Sequence, residues 1–278
     1  MKKVLIVILA LGSISSFAMM RALNTAATGM AAQEQQVNTI SNNIANSSTT
    51  GYKAQRTEFE DLLYETVEEA GGRSSGDSQY TVGHQVGSGA RVTATRRILD
   101  MGSPNITNRP YDLMIMGDGY FGVQAGNETL YTRDGSFTVD AQGILKTRAG
   151  YPLLPNIVVP ANTKHLNISD DGKVEAFLTN GGAPVELGQI PVFTFVNPAG
   201  LSDKGGNLSR VTMASGQAIQ NIAGTENSGV IQQGALEASN VSVMNEMTNL
   251  IKAQRSYELN SKVMGIADQM LHTVNQIR

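Results

Sequence analysis

The chain has 278 residues, a formal net charge of -3, 16% charged and 5% aromatic residues, and no cysteine. That charge balance argues against nucleic acid or anionic lipid as the main partner, because phosphate binding needs a basic face. The lack of cysteine excludes disulfides, thiolate metal sites and a cysteine nucleophile. Only His84, His165 and His272 offer imidazole chemistry, while 29 glycines and no tryptophan describe a turn-rich chain suited to many short strands.

Residues 1–18 differ from the rest. Lys2 and Lys3 are followed by an unbroken apolar run, Val4–Leu11, too short to span a bilayer, and by small and polar residues from Gly12 to Ala18. This is the three-part pattern of a secretory signal peptide. A buried helix, or translation beginning at Met19 or Met20, remains open as an alternative.

From Met20 to Ser47 there is one glycine, Gly29, and no proline. Leu23, Met30, Val37 and Ile44 recur every seventh residue, and Ala26 and Ile40 fall three after that set, with Gln33 a polar interruption. Five more heptad positions, Val243, Leu250, Tyr257, Met264 and Leu271, follow near the end of the chain. There Ala253, Ala267 and Val274 stand three after, and Glu246 and Asn260 interrupt. Asn240 or Ser242 is placed to cap this helix. Glu246 near its start, with His272 and Arg278 near its end, suits the helix dipole. Either seam alone is compatible with an ordinary amphipathic helix on a core. Two at opposite ends predict helices that pair with each other, weakly, because the stripe is rich in alanine and polar breaks.

Between the helices the pattern changes to period two. Strands are predicted at 112–116, 129–133, 136–139, 157–159, 167–168, 173–177 and 191–196. Turns are predicted at Gly117-Asp-Gly119, Asp134-Gly135, Asp140–Gly143, Asp171-Gly172, Asn180-Gly181 and Asn197-Pro198. Asp134-Gly135 carries a strong hairpin signal. Residues 71–89 and 214–230 have little periodicity and are expected to be exposed or poorly ordered loops. The fold class expected is α+β, with paired, coiled-coil-like N- and C-terminal helices and a central β-rich domain. It divides into a leader (1–18), an N-terminal helix (19–47), an extended connector with a flexible loop (48–90), the β domain (91–236) and a C-terminal helix (237–278).

Candidate chemistry is scarce. Gly117-Asp-Gly119-Tyr-Phe-Gly122 matches a dinucleotide fingerprint, but β-type sequence follows it where a helix must open. Gly76-Asp77-Ser78 resembles a hydrolase nucleophile block in a stretch without supporting motifs. Asp170-Asp171-Gly172 lacks the alternating ligands and distal glutamate of a calcium loop. Asn105-Ile-Thr107 and Asn127-Glu-Thr129 are formal glycosylation sequons of the kind expected by chance. No catalytic, metal or cofactor-binding residue is assigned.

Three motifs carry a resemblance. The first is Ser41-Asn-Asn43-Ile-Ala-Asn46 with Thr50-Gly51-Tyr52-Lys53. The second is Gly117-Asp-Gly119-Tyr-Phe121 with Tyr131-Thr-Arg133-Asp-Gly135-Ser-Phe137. The third is Glu237-Ala-Ser-Asn-Val241 with Gln254-Arg255-Ser-Tyr257-Glu258, Asn260-Ser-Lys262 and Asp268-Gln-Met-Leu271. In this order, from Met20 to the end, they resemble the signatures of the bacterial flagellar rod and hook family. The block Phe59-Glu-Asp-Leu-Leu-Tyr64 suits a distal rod subunit better than a hook or proximal rod subunit.

The resemblance implies a structural protein rather than an enzyme. It implies helical self-assembly into a hollow shaft that passes torque from motor to hook, with type III export from the cytoplasm. The implied partners are further copies, proximal rod proteins, the hook protein and the periplasmic and outer-membrane rings. No cofactor, nucleic acid or small-molecule substrate is implied. The segment Phe59–Val67 is expected to brace adjacent subunits, because its Phe59/Leu62/Leu63/Val67 set needs covering. A secreted β-rich enzyme or binding protein is the competing class, favoured only by the leader.

Overall fold

The computed structural model describes residues 2–71, 73–75, 78–79, 81–179, 183–225 and 228–276. In chain order a long helix α1 (Lys2–Ala45) precedes a strand-rich middle, and a second long helix α2 (Val243–Gln276) closes the chain. Contacts divide the chain into two compact units. One comprises residues up to 42, 55–96 and 244 onward, and the other 43–54 and 97–243.

In the first unit α1 runs continuously from Lys2, well before the start that the seam predicts. Leu23, Ala26, Met30, Gln33, Val37, Ile40 and Ile44 are all at least partly shielded, so the predicted seam is one face of the helix. A neighbouring face is shielded too, through Thr28, Ala32, Gln36 and Thr39. It touches the strand pair of Gln55–Asp61 with Ala90–Arg97 and the turn before it at two points. The Thr57 hydroxyl donates to Thr39 Oγ1 at 2.9 Å, and a Cβ at Gly89 would stand 2.2 Å from Thr28 Oγ1. Gly29 costs α1 about 1 kcal/mol relative to alanine. A Cβ there would meet Asn260 Nδ2 of α2 at 2.8 Å, the far end of a side chain that can turn aside.

On α2, Leu250, Ala253, Asn260, Met264, Ala267 and Leu271 are shielded in the predicted seam. Two predicted members are not. Val243 and Tyr257 are 42% and 44% exposed, and Ser256 takes the shielded place beside Tyr257. The side chain of Val274 lies outside those described. Met244, Met247, Ile251, Leu259, Val263, Ile266 and Met270 are all exposed. At 100° per residue Met244, Ile251, Leu259 and Ile266 fall on the side of α2 opposite the seam, and Met247, Val263 and Met270 flank it. A ribbon of Tyr64–Glu68 with His84–Gly87 completes this unit, and every residue of Tyr64–Glu68 is exposed.

The second unit is built of short antiparallel strands. Its four-stranded sheet has the order Ser202–Gly205, Leu208–Arg210, Glu128–Thr132, Phe121–Ala125, and a three-stranded sheet joins Thr163–Ile168, Lys173–Leu178 and Val185–Gln189. Leu113–Met116 pairs with Val230–Gln233, Pro191–Thr194 with Ile219–Ile222, and Pro104–Ile106 with Ala235–Glu237. The core they enclose includes Leu113, Ile115, Phe121, Phe137, Leu145 and Ile231, with the Phe121 and Phe137 rings edge-on at 5.3 Å. A second cluster sets Tyr131 edge-on to Phe193 and Phe195 at 5.3 and 5.0 Å, a favoured aromatic geometry.

Several local expectations are corrected. Asp134-Gly135 does not close a hairpin. Strand Glu128–Thr132 pairs back on Phe121–Ala125 and on Leu208–Arg210, and the turn carries the chain away to Asp112 and Leu113. Asp134 Oδ1 accepts from the Ser136 N–H, a local turn bond that competes with strand pairing, and the Leu113 N–H donates to the Gly135 carbonyl. The predicted strand at 157–159 reduces to a single bridge between Val158 and Ile144. The loops expected at 71–89 and 214–230 contain His84–Gly87, Ile219–Ile222 and the start of Val230–Gln233, strands specified by distant partners rather than by local period. Gly76-Asp77 and Asn180-Gly181 lie outside the described residues.

Glycine at 135 is required by close approach, because a Cβ would stand 1.7 Å from the Leu113 carbonyl oxygen. Gly135→Ala is therefore expected to destabilise the β unit by about 1–3 kcal/mol, the usual cost of overpacking. The check is its midpoint in urea, followed by near-UV dichroism of the aromatic cluster. An unchanged midpoint would contradict the close contact.

Candidate functional site

The second unit gathers residues from all three sequence signatures around one buried charge cluster. Past α1 the chain turns through Asn46–Thr50, and Gly51 lies in left-handed backbone at φ +68°. A Cβ on Gly51 would stand 2.8 Å from the backbone of Arg133 and Asp134, so the residue must be glycine on both counts. Its N–H donates to the Glu237 carbonyl at 2.8 Å. Tyr52 reaches back along the same turn, its hydroxyl donating to the buried Asn43 Oδ1 at 3.1 Å.

Lys53 follows and points inward. Its Nζ donates to Glu237 Oε1 at 2.6 Å and to the carbonyls of Asp100 and Leu99 at 2.8 and 3.3 Å. Glu237 Oε1 also accepts from the Gly102 N–H at 3.0 Å. Arg133 donates to the carbonyls of Ile115 and Gly117 at 3.2 and 2.7 Å, and its Nη1 lies 3.6 Å from Glu237 Oε2. The Arg133 guanidinium sits 5.5 Å from the centre of the Tyr120 ring, within range of a cation–π contact. The side chains of Lys53, Arg133 and Glu237 are 5%, 6% and 1% exposed. Burial pushes the Lys53 ammonium below its usual range, with the Glu237 hydrogen bond pulling the other way.

A cleft of about 830 Å³ opens beside the cluster, lined by Lys53, Arg133, Tyr120, Phe195, Val196 and Ile219 among others. Its two buried cations are already engaged. All three Lys53 donors are directed at protein oxygens, and both terminal nitrogens of Arg133 bond carbonyls. That arrangement organises backbone and leaves no poised acid or base for a reaction. Asp171, considered above for calcium, makes a turn: Oδ1 accepts from the Lys173 N–H and Oδ2 lies 3.6 Å from Lys173 Nζ. Among the described residues no group of carboxylates and histidines is arranged to hold a metal.

Of the signature residues, Asn43, Gly51, Tyr52, Lys53 and Arg133 meet here. Gly119, Phe121, Gly135 and Phe137 shape the adjoining core, and Tyr131 belongs to the second aromatic cluster. Asn46 caps the turn, accepting from the Thr49 hydroxyl at 3.1 Å. Phe59, Gln254, Arg255 and Tyr257 belong to the other unit and are exposed. Sequence reasoning missed the role of Glu237. The usable signal was a lone carboxylate in an otherwise small and apolar strand, Ala235-Leu-Glu237, which demands a distant cation. Asn240, one of two candidate caps with Ser242, accepts from the Ala54 N–H at 2.7 Å through Oδ1.

Glu237 faces both buried cations of the cluster, so its removal leaves Lys53 and Arg133 uncompensated. Glu237→Leu is therefore expected to cost the β unit about 3–5 kcal/mol, and Lys53→Met less, because Arg133 still faces Glu237. Urea unfolding of the two variants checks this. An equal or larger loss for Lys53→Met would contradict the shared carboxylate.

Three family models match the chain. They are the flagellar hook protein FlgE/F/G D1 domain over residues 114–176, the flagellar basal body rod FlgEFG protein C-terminal region over 232–277, and the flagella basal body rod protein over 23–53. Each matched stretch contributes one member of the cluster: Arg133, Glu237 and Lys53. The flagellar basal-body rod protein FlgG of Borreliella burgdorferi is 45% identical over 263 residues, 94% of this chain and 99% of that protein. FlgG of Caulobacter vibrioides is 46% identical over 93% of this chain and its whole length, and that of Bacillus subtilis 35% identical over 94% of this chain. Among solved structures, the Helicobacter pylori flagellar hook protein FlgE2 aligns with 66% of this chain and 43% of its own at 15% identity and a TM-score of 0.24, which carries no argument about the fold. The full-length relatives and the shared stretches that build the cluster place this chain in the flagellar basal-body rod protein family, as a structural subunit of the basal body and not an enzyme.

Proposed function

We propose that this chain is the distal rod subunit of the flagellum. In this reading it assembles helically into a hollow shaft that passes torque from motor to hook. The observation that carries it is the near-complete, ordered match to FlgG proteins, 45% identical over 94% of the chain. The two seams support pairing of α1 with α2, which Gly29 and Asn260 approach closely enough to favour. The exposed apolar residues of α2, from Met244 to Met270, are of the kind that assembly covers, and further copies of the chain are their natural partner. Phe59, Leu63, Tyr64 and Val67 are likewise exposed and suit a bracing contact between adjacent subunits.

The other partners follow from position in such a shaft: proximal rod proteins below, the hook protein above, and the periplasmic and outer-membrane rings around it. Export from the cytoplasm precedes assembly, and the assembled subunit lacks residues 1–18. A second reading is a different axial component, since the hook-basal body complex protein FlhP of Bacillus subtilis is also 34% identical over 94% of the chain.

Electron microscopy of basal bodies from a strain lacking this chain separates the readings. Loss of the distal rod and hook with the proximal rod retained is the expected result. Intact hooks on complete rods would sink the assignment.

A further inference from the structure

The chain passes between its two units four times, after Asn42, Ala54, Arg96 and Val243. Three of these crossings, at Ala54, Arg96 and Val243, begin or end within a few residues of one side chain, Asn240, or of a backbone group that it holds. Asn240 Oδ1 accepts from the Ala54 N–H at 2.7 Å, and its Nδ2 donates to the carbonyls of Ile98 and Asp100 at 3.0 and 2.9 Å. The Ile98 N–H in turn donates to the Ala54 carbonyl at 2.8 Å. Arg97, next to Ile98, is anchored to the Leu201 carbonyl at 2.7 Å and to Ser209 Oγ at 3.2 Å. The remaining crossing, at the end of α1, is tied to the segment before Ala54 by the Tyr52 to Asn43 bond.

We propose that Asn240 is a positioning residue that fixes the roots of the segments leaving the β unit, and thereby stiffens the assembled subunit. The carboxamide suits the task because it presents an acceptor and two donors on one short, planar group. Its partners are backbone groups, so it constrains where the chain runs whatever side chains surround it. Three of the four crossings, at Ala54, Arg96 and Val243, are held by this one group or lie within three residues of it or of a carbonyl that it holds. The group lies at the rim of the β unit, outside its apolar core, so its loss should free the roots without unfolding the strands. The stiffening rests on the rod reading above; the fixing of the roots does not.

The test uses the full chain with Asn240→Ala and with Asn240→Asp, which keeps an acceptor for Ala54 but loses both donors. Amide hydrogen exchange on the monomer is expected to speed about tenfold at Ala54 in Asn240→Ala, the effect of losing one hydrogen bond, with the core amides of Ile115 and Ile231 unchanged. Asn240→Asp should leave Ala54 protected. In cells, electron cryomicroscopy of basal bodies is expected to show bent or shortened rods for both variants. Unchanged exchange at Ala54 in Asn240→Ala, or loss of core protection as well, would overturn the positioning role, the latter because Asn240 would then be holding up the β unit itself. Straight, full-length rods from both variants would overturn the stiffening. Failure of the rod reading would be distinct, because deleting the whole chain would then leave rod and hook intact.

Discussion

Three buried charges, Lys53, Arg133 and Glu237, come from positions far apart in sequence and meet in one unit of the protein. Taking ions of this kind out of water costs several kcal/mol each, and their mutual attraction offsets that cost only when the geometry is nearly complete. Here it is nearly so. Five donors from Lys53 and Arg133 end on protein oxygens, and Glu237 Oε1 takes an N–H from Gly102 as well. Glu237 Oε2 has only the nearby Arg133 cation, which compensates its charge without a hydrogen bond. A cluster balanced in this way adds little net stability. Its effect is selective, because any fold that failed to bring these three segments together would leave a buried charge alone.

The cluster therefore organises what surrounds it. Gly51 is glycine because the Arg133 backbone passes within reach of its missing Cβ, and its N–H is spent on the Glu237 carbonyl. Gly102 sits against Ala238, whose carbonyl oxygen a Cβ would approach to 1.8 Å. The turn after α1 and the strand before α2 are thus held rigidly in the β unit. The helices themselves are held differently. Their seams are thin, with Ala26, Ala253 and Ala267 as the most buried apolar members together with Ile40. Each buried alanine methyl contributes about 1 kcal/mol at most, against a backbone ordering cost of about 1–2 kcal/mol per residue. Seams of this composition contribute little order of their own.

Much of this was legible in the sequence, and the parts that were not share one cause. The heptad positions of α1 were readable because helical period is a local property, and every one from Leu23 to Ile44 is shielded. The turns at Gly143 and Gly172 were readable for the same reason, with φ of +81° and +83°. Strands Ile219–Ile222 and His84–Gly87 were invisible, because their pairing partners Pro191–Thr194 and Tyr64–Glu68 specify them from a distance. Asp134-Gly135 misled because local turn chemistry does not reveal which strand the chain will meet next. Of the candidate site, Lys53 and Arg133 were singled out by resemblance. Glu237 appeared only as the first letter of a motif, since no sequence period links positions so far apart.

The central claim is that the helix roots belong to the rigid β unit while the helices wait for assembly. Hydrogen exchange on dilute monomer tests it at single amides. The account predicts that Gly51 and Gly102 exchange only with global opening of the β unit, as slowly as Ile115 and Ile231. It predicts that Val37 and Leu250, in the seams, exchange orders of magnitude faster until subunits assemble. Equal protection of the seams and the roots in the monomer, or fast exchange at Gly51, would contradict it.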